Sequence, residues 1–153
     1  MNFDTMLQVQ LIREFLDEPS IAVVGVSRKG DIPANHIFKR FREAGYRAFA
    51  VNPNAGKIEG ETCYHDLGSI PDHPSALFQA GTPEVSEQYA AECRGNGVKI
   101  AWMHRGIGKG SYSEKAERQF TENGIKVIGS GCPLMFITPV DPFHKLLRWF
   151  RNL

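Results

Sequence analysis

The chain has 153 residues, 42% of them hydrophobic and 23% charged, with a formal net charge of +1. That is the length of one domain (1–153) able to bury its own core without disulfides or a structural metal. The near-neutral balance offers nucleic acid or an anionic membrane nothing to bind in bulk, so neither is expected as a partner, and any basic site must be local.

The first twenty residues carry Asp4, Arg13, Glu14 and Asp17 where a signal peptide needs an apolar run. No stretch approaches the ~20 apolar residues of a membrane span. Within 5–17, Met6, Val9, Leu11, Ile12, Phe15 and Leu16 have the spacing of an amphipathic helix. "SIAVVGV" (20–26) is a nearly continuous apolar run, the signature of a parallel strand covered on both faces. Residues 32–45 put Ile37, Phe38, Phe41 and Ala44 on one helical face, with Pro33 in the first turn and Gly45 at the end. "YRAFAVNP" (46–53) is the next strand, stopped by Pro53, and "SALFQAG" (75–81) the third. A helix over 83–97 has Glu84 in its first turn. "VKIAWM" (98–103) is the fourth strand, 111–123 a helix, and "IKVIGS" (125–130) the fifth strand. The tail 141–150 places Phe143, Leu146, Leu147 and Phe150 at helical spacing.

Strands alternating with helices predict an α/β fold: a doubly wound, Rossmann-like parallel sheet of five strands in the order 3-2-1-4-5. In such a sheet the ligand lies beyond the carboxyl ends of the strands, at the switch point beside the first strand. The candidate site is therefore read from the residues that follow each strand.

After the first strand, Gly25, Val26, Ser27, Arg28 and Lys29 lead into a helix N-terminus, a setting that favours an anion. The usual dinucleotide fingerprint has a second glycine where this chain has Ser27. After the second strand come Asn52 and Pro53, with no carboxylate to hold the ribose 2′-hydroxyl of NAD. Lys57, close by in sequence, suits either NADP or a 3′-phosphorylated ribose. After the third strand, Gly81, Thr82 and Pro83 shape a tight passage into a helix. After the fourth, His104, Arg105 and Gly106 open a flexible basic loop that also holds Lys109. A single histidine there reads more simply as a wall residue than as a general base.

After the fifth strand comes Cys132, which needs a base or a positive surrounding to act as a nucleophile and is expected to pack or line the cleft. Cys63, Cys93 and Cys132 form no disulfide framework and read as reduced thiols of a cytoplasmic protein. No catalytic residues and no metal ligands are assigned: Walker, G-x-S-x-G and H-E-x-x-H motifs are absent.

Taken together, "IAVVGVSRKGDIP", "GYRAFAVNPNAGKIEGETCYHDLGSIP", "VKIAWMHRGI" and "GIKVIGSGC" resemble the small stand-alone coenzyme A-binding proteins with a Rossmann-like fold. The same layout is similar to the coenzyme A-binding domain of the succinyl-CoA synthetase α subunit, with "GCPLMFITP" matching that family's C-P-G-x-I-T-P segment. The resemblance implies coenzyme A or an acyl-CoA as ligand. Residues 26–29 would then hold phosphate, and Asn52, Pro53 and Lys57 would flank the ribose phosphate. Gly81, Thr82 and Pro83 would border adenine or pantetheine, and His104, Arg105 and Gly106 would lie across the cleft. The stand-alone family often has glutamine at the position of His104 and a Lys-x-Glu-His tail where this chain has "PLMFITP". The synthetase's phosphohistidine domain has no counterpart in these 153 residues. A non-catalytic coenzyme A module is the expected function, with a nicotinamide enzyme or a subunit of an acyl-CoA enzyme as the alternatives.

Overall fold

The computed structural model describes residues 2–140 and 142–150. Its elements in chain order are α1 (Phe3–Asp17), β1 (Ser20–Val24), α2 (Pro33–Glu43), β2 (Arg47–Val51), β3 (Lys57–Ile58), β4 (Glu61–Tyr64), β5 (Ala76–Gln79), α3 (Pro83–Glu92), β6 (Ile100–Met103), α4 (Glu114–Glu122), β7 (Lys126–Ile128) and α5 (Pro142–Phe150). They form one seven-stranded sheet in the order β3-β4-β2-β1-β5-β6-β7. All neighbours are parallel except β3 and β4, which form an antiparallel hairpin.

The class is as expected, but the strand number and order are not. The expectation set the strand at 75–81 beyond the second strand. Instead β5 pairs with β1 from Ile21↔Ala76 to Val24↔Gln79. The place beside β2 is taken by β4, paired through Ala50↔Cys63 and Val51↔Tyr64. No strand is expected from the sequence between 53 and 64, because the two there are only two and four residues long. Their link is Glu59–Gly60, with φ of +52° and +77°, two successive left-handed residues as in a type I′ hairpin turn. Asn-Gly or Asp-Gly is the usual signal for that turn, and Glu-Gly is a weak one.

Each strand's alternate residues feed two separate cores. On one face α1, α2 and a 3-10 turn at Pro133–Met135 pack over Phe15, Phe38, Phe41, Phe78 and Trp102. The Phe15 and Trp102 rings meet edge-on at 5.2 Å. On the other face α3 and α4 cover Leu67, Leu77, Tyr89 and Phe120. Because β1, β5 and β6 are sandwiched, every residue in them is buried, hence the unbroken apolar runs in the sequence. The helical spacing of the tail is met by α5; Asp141 lies outside the described residues. Among the described residues no helix is long and apolar enough to cross a membrane, and no three metal-binding side chains cluster.

Candidate functional site

The crossover after β1 goes through α2 on one face, and the crossover after β5 goes through α3 on the other. The crevice between the carboxyl ends of β1 and β5 is therefore the switch point of the sheet. Gly25 lies there with φ of +100°, and a Cβ on it would stand 2.7 Å from Ala80 C and Gly81 N. The close backbone approach that calls for glycine is thus to the β5 tip of the same chain.

The loop from Ser27 to Asp31 is held from below by Asn35, a residue the sequence reading passed over as part of a helix. Asn35 is 1% exposed. Its Oδ1 accepts from Ser27 N at 2.8 Å, and its Nδ2 donates to Ser27 O at 2.7 Å and to Glu59 Oε1 at 2.9 Å. Ser27 Oγ accepts from Lys29 N at 3.2 Å. The Ser27 amide is thus engaged within the protein, and what the loop offers a ligand is the Ser27 hydroxyl and the exposed side chains of Arg28 and Lys29. Helix α2 begins here at Pro33, after an N-cap residue Ile32 that supplies no side-chain cap, and has no acid in its first turn, an arrangement favourable to a phosphate.

A carboxylate does come to this end of the sheet, delivered by the β3–β4 hairpin rather than by the β2 tip. Glu59 reaches back over the β1 loop to Asn35 and pairs with Lys39 Nζ at 3.2 Å. The Asn35 bond first, and then Lys39, hold its carboxyl below the ordinary range. Glu59 thereby braces the loop after β1.

At the β2 tip Asn52 is a tie between loops. Its Nδ2 donates to Val26 O at 2.8 Å and its Oδ1 accepts from Asn54 N at 2.8 Å. Pro53 follows, exposed, with its carbonyl 2.9 Å from His65 Nδ1. Lys57 stands apart from this pair, exposed on the edge strand β3 opposite Thr62.

At the β5 tip, Gly81 is packed against Val85, where a Cβ would be 3.1 Å from Cγ1. Thr82 caps α3 and Pro83 is its first residue. Glu84 has its carboxyl lowered by its own backbone N–H and by the Thr82 hydroxyl. The N-terminus of α3 thus already carries a carboxylate, while that of α2 does not. Of the two helix starts that flank the switch point, α2 is the one disposed to an anion.

At the β6 tip, His104 N donates to Gln79 O at 2.8 Å and the imidazole meets the Phe78 ring at 5.8 Å. Arg105 lies over the Tyr112 ring at 5.3 Å. The main chains of Arg105 and Gly131 exchange two hydrogen bonds, at 3.2 and 3.0 Å. Gly106 lines a groove of about 650 Å³ with Thr5, Gln8, Arg105, Lys109 and Ser130. This groove continues the row of strand tips toward β7, and its lining contains two cations and no carboxylate.

The structure thus sets Gly25, Val26, Ser27, Asn52, Gly81 and His104 along one row of strand tips β2-β1-β5-β6, tied by Asn52–Val26, Gly25–Gly81 and His104–Gln79 contacts. Arg28, Lys29, Pro53, Thr82, Pro83, Arg105 and Gly106 flank the row, and Lys57 is the outlier.

The sequence profile of the CoA binding domain family matches residues 19–138. An ADP-forming acetate–CoA ligase II of Archaeoglobus fulgidus is 27% identical over 126 residues, 77% of this chain but 19% of the ligase. This chain spans about a fifth of the curated relatives it matches. A hypothetical protein of Pyrococcus horikoshii has the same fold, with a TM-score of 0.76 and 24% identity over 87% of this chain and 91% of that one. A dinucleotide-forming acetyl-coenzyme A synthetase of Ca. Korarchaeum cryptofilum, solved with phosphate and ADP, is 25% identical, with a TM-score of 0.65 over 78% of this chain and 27% of its own. With every strand tip just described lying inside the matched span, this chain belongs to the CoA binding domain family.

Proposed function

We propose that the chain is a single, non-catalytic domain that binds coenzyme A or an acyl-CoA across the strand tips, with its phosphates at Ser27, Arg28, Lys29 and the start of α2. The observation that carries this is the Asn35-braced loop before an uncapped helix, inside a span that matches a CoA binding domain family. Asn52 and Pro53 flank the ribose; Gly81, Thr82 and Pro83 border the adenine or the pantetheine arm; His104, Arg105 and Gly106 receive the thiol end. Lys57 contributes charge from the sheet edge. The nicotinamide alternative is less favoured because the tip of β2 carries Asn52 and Pro53 and no carboxylate.

The curated relatives are ligases about four times as long, which favours a second reading: the domain serves an acyl-CoA enzyme whose remaining parts lie elsewhere. Thermal-shift titration tests the ligand. Coenzyme A at about 100 times its Kd stabilises by roughly 2.7 kcal/mol and should raise Tm more than NAD, NADP or ATP at equal concentration. A larger rise with NAD would overturn the assignment. Turnover of acetate or succinate with coenzyme A and ATP by this chain alone would overturn its non-catalytic character.

A further inference from the structure

We propose that two copies of this chain pair about a two-fold axis, with α5 of each copy seated on α1 of the other.

Among the described residues, eight large apolar side chains are exposed, and seven of them lie on α1 and α5. On α1 they are Phe3, Met6 and Leu7, which fall within an arc of about 100° at 3.6 residues per turn. On α5 they are Phe143, Leu146, Trp149 and Phe150, within about 120°. The eighth is Ile107, in the loop after β6; α2, α3 and α4 have none. Both helices belong to the same face of the sheet. Ile12 and Phe15 of α1 are buried in the core cluster against which Leu147 of α5 packs. One face of the molecule thus turns two apolar stripes to water, while the helices of the opposite face turn none. Exposed apolar side chains gathered in this way mark an interaction surface, as single scattered ones do not.

Helix α5 needs such a cover. It spans nine residues, a length at which an isolated helix is marginal in water. It leans on its own copy through Leu147 and through Arg148, whose guanidinium lies 5.1 Å from the centre of the Phe136 ring. None of its residues is buried. Its four-residue stripe points away from Leu147 and Arg148, so covering the stripe stabilises the helix as well as the pair.

Charge selects the occupant. Helix α5 carries His144, Lys145 and Arg148 and no carboxylate. Helix α1 carries Asp4, Glu14 and Asp17 against the one cation Arg13. Laying α5 on a second α5, or α1 on a second α1, brings like charges together, whereas α5 on α1 brings unlike ones together. An anionic membrane suits α5 alone, because the same face would press Asp4 against lipid of its own sign. Each copy has one stripe of each kind, so the contact formed twice closes on itself as a two-fold dimer.

The area is sufficient. An aromatic side chain buries about 150–250 Å², and each of the four aromatics in the two stripes is more than half exposed. They supply on the order of 500 Å² per copy. Two copies, with Met6, Leu7 and Leu146 added, pass the ~1,000 Å² that a specific interface needs.

The test is analytical ultracentrifugation of the full chain, whose single copy has a mass of 17.1 kDa. At about 100 μM the expected species is a dimer of twice that mass, since interfaces of this class bind at micromolar Kd or tighter. Met6→Glu on α1 and Leu146→Glu on α5 each set a carboxylate into the contact. Both positions are exposed, so circular dichroism of the monomer should be unchanged, while the dimer Kd rises at least about tenfold in each variant. Lys145→Glu, which removes no apolar surface, should weaken the dimer as well. Ile107→Glu, outside both stripes, should leave it as it is. A wild type that stays monomeric would overturn the proposal, and its sedimenting with vesicles of anionic phospholipid would make the face a membrane contact instead. A dimer weakened by only one of Met6→Glu and Leu146→Glu, or by neither, would also overturn it, as would one strengthened by Lys145→Glu or weakened equally by Ile107→Glu.

Discussion

The side-chain amide of Asn35 and the peptide of Ser27 exchange two hydrogen bonds, at 2.8 and 2.7 Å, and the remaining Asn35 N–H goes to Glu59. One buried side chain on α2 thereby sets the shape of the loop after β1. Asn35→Ala leaves the Ser27 N–H and carbonyl without their partner, at a cost of about 1–3 kcal/mol. Denaturant unfolding should show this loss, and calorimetry should show coenzyme A affinity reduced at least tenfold. A destabilised variant that binds as tightly as wild type would mean that the ligand does not use this loop.

Glu59 gives the brace a pH dependence. Its carboxyl is lowered, first by Asn35 and then by Lys39. A lowered native value contributes stability that is fully present above the unfolded carboxylate value of about 4.3 and is lost as pH falls through the native one. Tm should therefore drop on acidification below about pH 4.3, and less steeply in Glu59→Gln than in wild type. Parallel Tm–pH curves for the two would show that Glu59 is not coupled to the loop.

Gln79 ends β5 with 0% exposure, and neither amide atom of its side chain has a hydrogen-bond partner. It is flanked in the sheet by Val24 and Met103. A buried amide left unsatisfied costs about 1–3 kcal/mol, whereas an apolar group of similar shape does not. Gln79→Leu should raise stability by about 1 kcal/mol, or ~2–4 °C in Tm for a chain of this size. A fall in Tm would indicate that a buried water bonds the amide.

How much of this was legible in the sequence depends on the range of each signal. The buried parallel strands and α2 were readable because unbroken apolar runs and a 3.6-residue period are local. Placing the candidate residues at strand tips followed from the same pattern. The short hairpin was missed, and with it the correct strand order, since two paired residues at Lys57–Ile58 leave no periodicity. Asn35 and Glu59 were missed for another reason: they lie eight and 32 residues from Ser27, and a hydrogen bond across that distance has no spacing rule. An asparagine in the buried first turn of a helix that lacks a cap was the one available hint. The Arg105–Gly131 bridge likewise comes from a chain reversal after β7, which "GSGCP" marks as a turn without giving its register.

The phosphate assignment itself is tested at Arg28 and Lys29. Both are exposed, so replacing them should change stability by no more than about 0.5 kcal/mol. A charge-assisted hydrogen bond to phosphate contributes about 1.5–3 kcal/mol. Arg28→Ala, Lys29→Ala together should therefore weaken coenzyme A at least about tenfold, at 1.4 kcal/mol per decade. Dephospho-coenzyme A separates the two phosphates. If the cations hold the 3′-phosphate, the double change weakens dephospho-coenzyme A less than coenzyme A; if they hold the pyrophosphate, it weakens both alike. Calorimetric titration of both ligands against wild type and variant decides between them. Unchanged affinity for both in a folded variant would remove Arg28 and Lys29 from the site and leave the anion to the α2 N-terminus and the Ser27 hydroxyl.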